Sequence, residues 1–239
     1  MKLHQSLNII FALLLALGAL PSMAATEGQS LVEMRVAQDA LAPYRDRRGT
    51  NGMFIGIDYE PLVLKNFFST EDGATYKDIF GSDGVPLVHL SIDYKFNFML
   101  GALTAGADIG MGSITGNSSR KLDVMKYGGG ARYVADALLP EPYIAPYVGV
   151  NFWKMQTKET LTSGDTISET TDIGYNYTVG LLIQLDWLDY ETAKQATFNY
   201  GLENTYIDIY ATQYAKTGNQ ADVNTETDVL WGAGLKFEF

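Results

Sequence analysis

Val88-His89-Leu90-Ser91-Ile92-Asp93-Tyr94-Lys95-Phe96-Asn97-Phe98 is the stretch that decides the fold. Side chains of an extended chain point alternately to its two faces. Val88, Leu90, Ile92, Tyr94, Phe96 and Phe98 therefore share one face, and His89, Ser91, Asp93, Lys95 and Asn97 share the other. Period two this strict is a β-strand with one apolar and one polar side. The end of the chain repeats it, with Val229, Trp231, Ala233, Leu235, Phe237 and Phe239 opposed to Asp228, Leu230, Gly232, Gly234, Lys236 and Glu238. Similar alternation runs through residues 52–60, 102–113, 124–137, 143–155, 173–187 and 196–210, which makes eight strands in all.

Strand length separates two architectures. Soluble strands average about 5 to 6 residues, whereas a tilted strand needs about 9 to 11 to cross a bilayer. Eight long strands in succession favour the membrane. Lipid cannot satisfy an open sheet edge, so the expectation is an all-β fold: a closed up-and-down antiparallel transmembrane barrel over residues 51–239. A secreted soluble β-sandwich also alternates and stands as the other reading. With the N-terminus in the periplasm, residues 64–84, 114–121, 156–172 and 211–227 become external loops. The turns at 99–101, 138–142 and 188–195 are shorter and periplasmic, the asymmetry of bacterial outer-membrane barrels. Aromatic residues on the outward faces, among them Tyr94, Tyr127, Tyr133, Trp153, Tyr175, Tyr177, Trp187, Tyr200 and Trp231, suit interfacial girdles.

Composition narrows the chemistry. The 239 residues carry 17 Lys and Arg against 28 Asp and Glu, a net charge of −11, which argues against nucleic acid as a partner. No cysteine is present, so disulfides, thiolate metal sites and a Cys nucleophile are excluded. Lys2, the apolar run 9–20 and Ser22-Met23-Ala24 read as a signal peptide over residues 1–24. That run is too short to span a membrane as a helix.

These strands, the leader, the segment Pro142-Tyr143-Ile144-Ala145-Pro146-Tyr147-Val148-Gly149-Val150-Asn151 and the aromatic-ended last strand together resemble the small bacterial outer-membrane barrels of the OmpA, OmpX and OmpW type. The Pro-Tyr-Val-Gly-Val piece is similar to OmpW-like sequences, and nothing outside it assigns one subfamily. The resemblance also implies that the ending Leu235-Lys236-Phe237-Glu238-Phe239 is a signal for the barrel assembly machinery, with Phe237 and Phe239 as its readable residues.

The polar faces place Asp58, Glu60, Asp93, Lys95, Asp108, Lys126, Arg132, Lys154, Asp186, Glu203, Lys236 and Glu238 in the lumen. Buried charges need partners, so this set reads as an ion-pair network, with Asp108 diagonal to Lys126 across a hairpin centred near Asn117 and Ser118. Inward glycines, including Gly56, Gly106, Gly110, Gly128, Gly130, Gly174, Gly180, Gly201, Gly232 and Gly234, either ease strand curvature or leave a narrow path for a small solute. His89 and Ser91 sit two apart on one face, a spacing similar to that of lipid A deacylases, in which such a pair supplies base and nucleophile. In this chain the pair falls in the second strand and points to the lumen. No other catalytic motif is found, and no metal or cofactor is expected.

Residues 25–50 precede the barrel, with helical spacing from Leu31 to Leu41, then Pro43, Arg45, Arg47 and Arg48. They read as a short periplasmic helix or leader, or as a plug whose arginines meet lipid headgroups. Phe67, Phe68, Tyr76 and Phe80 concentrate aromatic surface in an otherwise acidic first loop, as a docking surface or as a cover for the mouth. The sequence thus reads as a non-catalytic outer-membrane barrel, envelope-stabilising and open to the question of a solute path. Lipid, lipopolysaccharide and the assembly machinery are its expected partners. Loop-mediated adhesion and lipid A modification through His89 and Ser91 are the alternatives.

Overall fold

The computed structural model describes residues 42–69, 72–116, 119–219 and 222–239. The leader, the helical spacing up to Leu41 and the hairpin tip at Asn117 and Ser118 lie outside the described residues. In chain order the elements are α1 (Tyr44–Arg47), β1 (Asn51–Leu62), α2 (Tyr76–Phe80), β2 (Val85–Phe98), β3 (Gly101–Thr115), β4 (Lys121–Val134) and β5 (Ile144–Thr160). They continue with β6 (Thr166–Thr170), β7 (Gly174–Gln184), α3 (Tyr190–Tyr200), β8 (Asn204–Tyr214) and β9 (Leu230–Glu238).

Every strand pairing is antiparallel. β6 pairs with the outer end of β5 alone, while β5 also pairs with β4 and β7. β9 returns to β1, with Phe54 opposite Glu238 and Tyr59 opposite Ala233. The other eight strands therefore form a closed up-and-down ring, as the alternation predicts, and the hairpin of β5 and β6 stands beyond it. Both described chain ends, at α1 and at the end of β9, sit at one mouth; the connections after β1, β3, β5 and β8 sit at the other.

The wall is inverted relative to a soluble protein. Along β2 the exposed residues are Val88, Leu90, Ile92, Tyr94, Phe96 and Phe98, while His89, Ser91, Asp93, Lys95 and Asn97 are buried. Leu103, Met111, Val148, Phe152, Tyr177, Val179, Leu181, Ile209 and Trp231 continue the apolar exterior around the ring. Exposed apolar surface this continuous belongs against lipid. Among the described residues no helix is long and apolar enough to cross a membrane. The strands do so instead.

Two parts of the sequence reading are corrected. The seventh strand, expected at 196–210, is helical as far as Tyr200 and becomes β8 only at Asn204. Asp189 caps α3 by accepting the Thr192 N–H at 3.1 Å, and Gly201 ends it in the left-handed region at φ 70°. Ala196, Phe198 and Tyr200 alternate by coincidence within a helix. Glu203 thus precedes the strand, Gly201 is a helix cap, and the inward residues of β8 are Asn204, Tyr206, Asp208, Tyr210, Thr212 and Tyr214. In β5 the faces are exchanged: Trp153 is buried inside and Lys154 lies on the outer wall. Residues 147–153 are largely apolar on both faces, and the one polar residue, Asn151, has the parity opposite to Lys154, so alternation there is contradictory. The glycines opposite them choose the face.

Candidate functional site

The lumen is built from pairs of a large inward side chain and a glycine directly across the ladder. Trp153 faces Gly174, Tyr147 faces Gly180, Tyr210 faces Gly232 and His89 faces Gly110. A Cβ added at Gly174 would lie 2.5 Å from the Trp153 ring, one at Gly180 2.6 Å from the Tyr147 ring, and one at Gly110 2.7 Å from the His89 ring. Asp93 opposite Gly106 and Asn151 opposite Gly130 follow the same rule. A narrow barrel is filled by alternating small and large residues. The glycines therefore make room for rings and charged groups, and the narrow path they suggested is occupied.

Packing divides the lumen into layers. At the loop mouth Leu62, Leu64, Val85, Leu87, Leu122, Val124, Trp153, Met155 and Leu230 form an apolar layer. The first loop folds Phe67, Tyr76 and Phe80 onto it, so these aromatics cover the mouth; Phe68 alone is exposed, at 60%. Capping of α2 by Thr75, which accepts from the Asp78 N–H, fixes that loop. Arg120 ties three loops together by donating to Ser69 Oγ at 2.6 Å, to Asp72 Oδ2 at 2.7 Å and to Glu159. The backbone N–H of Ala74 and the Arg120 guanidinium hold the Asp72 carboxyl below the usual range.

The mouth that carries the chain ends is closed by a charge latch. Lys95 Nζ, fully buried on β2, lies 2.5 Å from Asp136 Oδ2, contacts Glu238 on β9 and donates to Tyr44 Oη at 2.5 Å. Tyr44 in α1 donates onward to Glu238 at 2.5 Å. Arg48 pairs with Asp136 at 2.8 Å and Arg47 with Glu203. The N-terminal arginines thus meet carboxylates of the barrel, with Arg45 alone of the three left largely exposed. An apolar layer of Phe54, Val134, Ala145, Tyr147, Leu182 and Tyr206 lies inside this latch.

Between the two layers three cations each have one carboxylate partner. Lys126 lies 3.3 Å from Asp108, Arg132 2.8 Å from Asp93, and Lys236 3.2 Å from Asp208. Asp108 stands opposite Gly128 in the ladder and Lys126 opposite Gly110, so that pair is diagonal. Tyr214 links Lys126 to Glu60, accepting from the first at 3.0 Å and donating to the second at 2.8 Å. All of these charged groups except Asp93, together with Tyr214, line a polar cavity of about 40 Å³. That is room for roughly three waters at most.

Of the twelve charged residues expected inside, Asp58, Glu60, Asp93, Lys95, Lys126, Lys236 and Glu238 are buried there, and Asp108 and Arg132 are half-buried on the same inner face. Lys154 is outside. Asp186 sits in the turn after β7, where its carboxylate accepts the Thr205 N–H at 3.0 Å, and burial pushes its carboxyl up to about 6. Glu203 stands at the rim, raised by burial and partly offset by Arg47. Asp136, Asp208 and Arg120 are additional members of the buried set. The parity that placed Lys126 and Arg132 inside also reaches Asp136 four residues on. Asp208 was hidden by the misplaced start of its strand.

His89 and Ser91 both line the cavity, with His89 Nδ1 3.8 Å from Asp108 Oδ2, too far for a hydrogen bond. Neither His89 Nε2 nor Ser91 Oγ has a partner among the described residues. Packed layers on both sides separate the pair from the lipid in which an acyl substrate would lie.

An eight-stranded ring with a lipid-facing apolar wall and a polar, side-chain-filled interior defines a small β-barrel of the outer-membrane type. No protein-family model matches the sequence, and no curated protein matches it either. Among solved structures the chain is similar to Ail, the attachment invasion locus protein of Yersinia pestis, crystallised with the heparin analogue sucrose octasulfate. That likeness is 14% identity over 79% of this chain and 97% of Ail, with a TM-score of 0.43. Neisserial surface protein A is similar at 15% identity over 80% of this chain and 98% of its own, also with a TM-score of 0.43. Ail in a phospholipid nanodisc is similar at 16% identity and a TM-score of 0.40, over 80% of this chain and all of the other.

Proposed function

We propose that this chain is a non-catalytic outer-membrane barrel that stabilises the bacterial envelope as a closed wall element. The observation that carries the reading is the filled lumen, packed at both mouths by the chain's own side chains around a cavity of about 40 Å³. Placing the latched mouth in the periplasm puts the long, cross-tied loops outside and Arg47 and Arg48 beneath the membrane. The outer wall supports that orientation. Lys154 of β5 stands opposite exposed Tyr127, while Lys158 of β5 and Lys121 of β4 lie nearer the loops than Phe152 and Tyr127, toward the lipopolysaccharide phosphates. Lys121 shares its charge with Asp123, which leaves Lys154 and Lys158 to meet phosphate. Cells lacking the protein are expected to take up more of a hydrophobic dye, with lipid A acylation unchanged by mass spectrometry. A changed acyl pattern would make the protein an enzyme.

The end of β9 supports recognition by the assembly machinery. Phe237 and Phe239 project outward, and the Phe239 backbone exchanges hydrogen bonds with Met53 at 2.7 and 2.9 Å where the ring closes. An aromatic ring at that rim suits the membrane interface. Deleting Phe239 removes this exposed ring and a pair of seam bonds but no lumen charge. Assembly in cells is expected to fall severalfold, while refolding in detergent stays within a factor of two by heat-modifiable gel mobility. Equal loss in both preparations would mean that Phe239 acts through stability alone.

A further inference from the structure

The pairing of lumen charges leaves a remainder. Lys126, Arg132 and Lys236 each have one carboxylate partner, and Lys95 with Arg48 matches Asp136 with Glu238. Asp58 and Glu60, both buried on β1 and two residues apart on its inner face, have no cation within 4.0 Å among the described residues. Glu60 at least accepts the Tyr214 hydroxyl. Asp58 Oδ1 has no hydrogen-bond partner among the described residues. His89 stands opposite Asp58 in the ladder, and even as imidazolium it would offset one of the two acids. A buried carboxylate with no counter-charge in contact is unfavourable, because the low-dielectric interior does not replace its hydration.

The same cavity collects other unsatisfied oxygens. Ser91 Oγ and Asn176 Oδ1 are buried, and both residues line it, with no hydrogen-bond partner for either oxygen among the described residues. The orientation of the Asn176 amide is fixed by its neighbours. Thr212 spends its proton on the Tyr177 carbonyl at 3.0 Å, so it accepts from Asn176 Nδ2 at 2.9 Å and leaves Oδ1 turned away from it. One carboxylate oxygen and two neutral oxygens thus remain around a space sized for one to three waters. We propose that this cavity binds one small monovalent cation, of sodium to ammonium size, with Asp58 as its anionic ligand and Ser91 and Asn176 as neutral ones. A divalent ion is disfavoured, because calcium takes about 6 to 8 oxygens with several carboxylates and three cationic side chains already border the space. Among the described residues no three acidic or imidazole groups are arranged to hold a metal ion, as a divalent site would require.

Thermal unfolding of the full refolded barrel in detergent tests this at constant ionic strength. Sodium, potassium or ammonium chloride is compared with N-methylglucamine chloride, whose cation is too large for the cavity. A small cation is expected to raise the midpoint by several degrees in a saturable way, as a ligand of the folded state must. Asp58→Asn is expected to abolish that difference while remaining folded, since it removes the uncompensated charge. Crystals grown with rubidium or thallium are expected to show anomalous density in the cavity beside Asp58. Identical midpoints in all four salts, a cation effect that survives Asp58→Asn, or a cavity without anomalous density would each overturn the proposal.

Discussion

Lys95→Met is expected to destabilise the barrel by about 3 to 5 kcal/mol, the usual cost of stripping one partner from a buried ion pair. The ammonium holds two carboxylates, Asp136 at 2.5 Å and Glu238, and donates to Tyr44. Methionine matches the length of the stem but leaves Glu238 with only neutral donors: Tyr44, Asn204 and Tyr206. Asp136 keeps Arg48. A second substitution, Glu238→Gln, removes the stranded charge, and the double variant is expected to recover a clear part of the loss. Urea unfolding in lipid vesicles, followed by tryptophan fluorescence, measures both variants. A loss below about 1 kcal/mol, typical of an exposed pair, would show that the latch is wet and open.

A comparable loss is expected from the opposite face. Ile92 lies midway along β2, 52% exposed on the apolar wall, between Ile55 and Ala107 of its neighbours. Arginine at the bilayer midplane costs about 2 to 4 kcal/mol on a barrel exterior. Ile92→Arg is therefore expected to refold poorly into bilayers, while Ile92→Leu behaves as the parent does. An Ile92→Arg protein that is folded, water-soluble and stable without detergent would identify a soluble barrel.

Legibility in the sequence followed the contrast between the two faces. Strand β2 is readable from Val88 to Phe98 because each odd position there is polar and each even one apolar, and the C-terminal strand because its odd positions form an apolar face. Where both faces are largely apolar, as around Val148 to Trp153, alternation rests on Asn151 against Lys154, and Lys154 lies on the face opposite to the one expected. The start of β8 was missed because Phe198 and Tyr200 alternate within a helix, although Asp189 and Gly201 bracket that helix as cap residues do. Pairing partners are a matter of register, which no single strand contains. The glycine opposite each lumen ring is legible only once the ladder is known, and so is the count of charges that leaves Asp58 over. Closure of the mouth was partly legible: four aromatic residues in an acidic loop asked for a place to bury, and three of them have one.

The central claim is that the chain crosses the membrane as a barrel closed by its own side chains. Electrical recording from purified, refolded protein in planar lipid bilayers tests it most directly. The packed layers at both mouths predict a flat baseline with no discrete conductance steps, in the parent and in Gly174→Ala alike. Reproducible openings whose size changes when Lys126 or Asp108 is substituted would contradict it, because ions would then be passing through the cavity between the two packed layers.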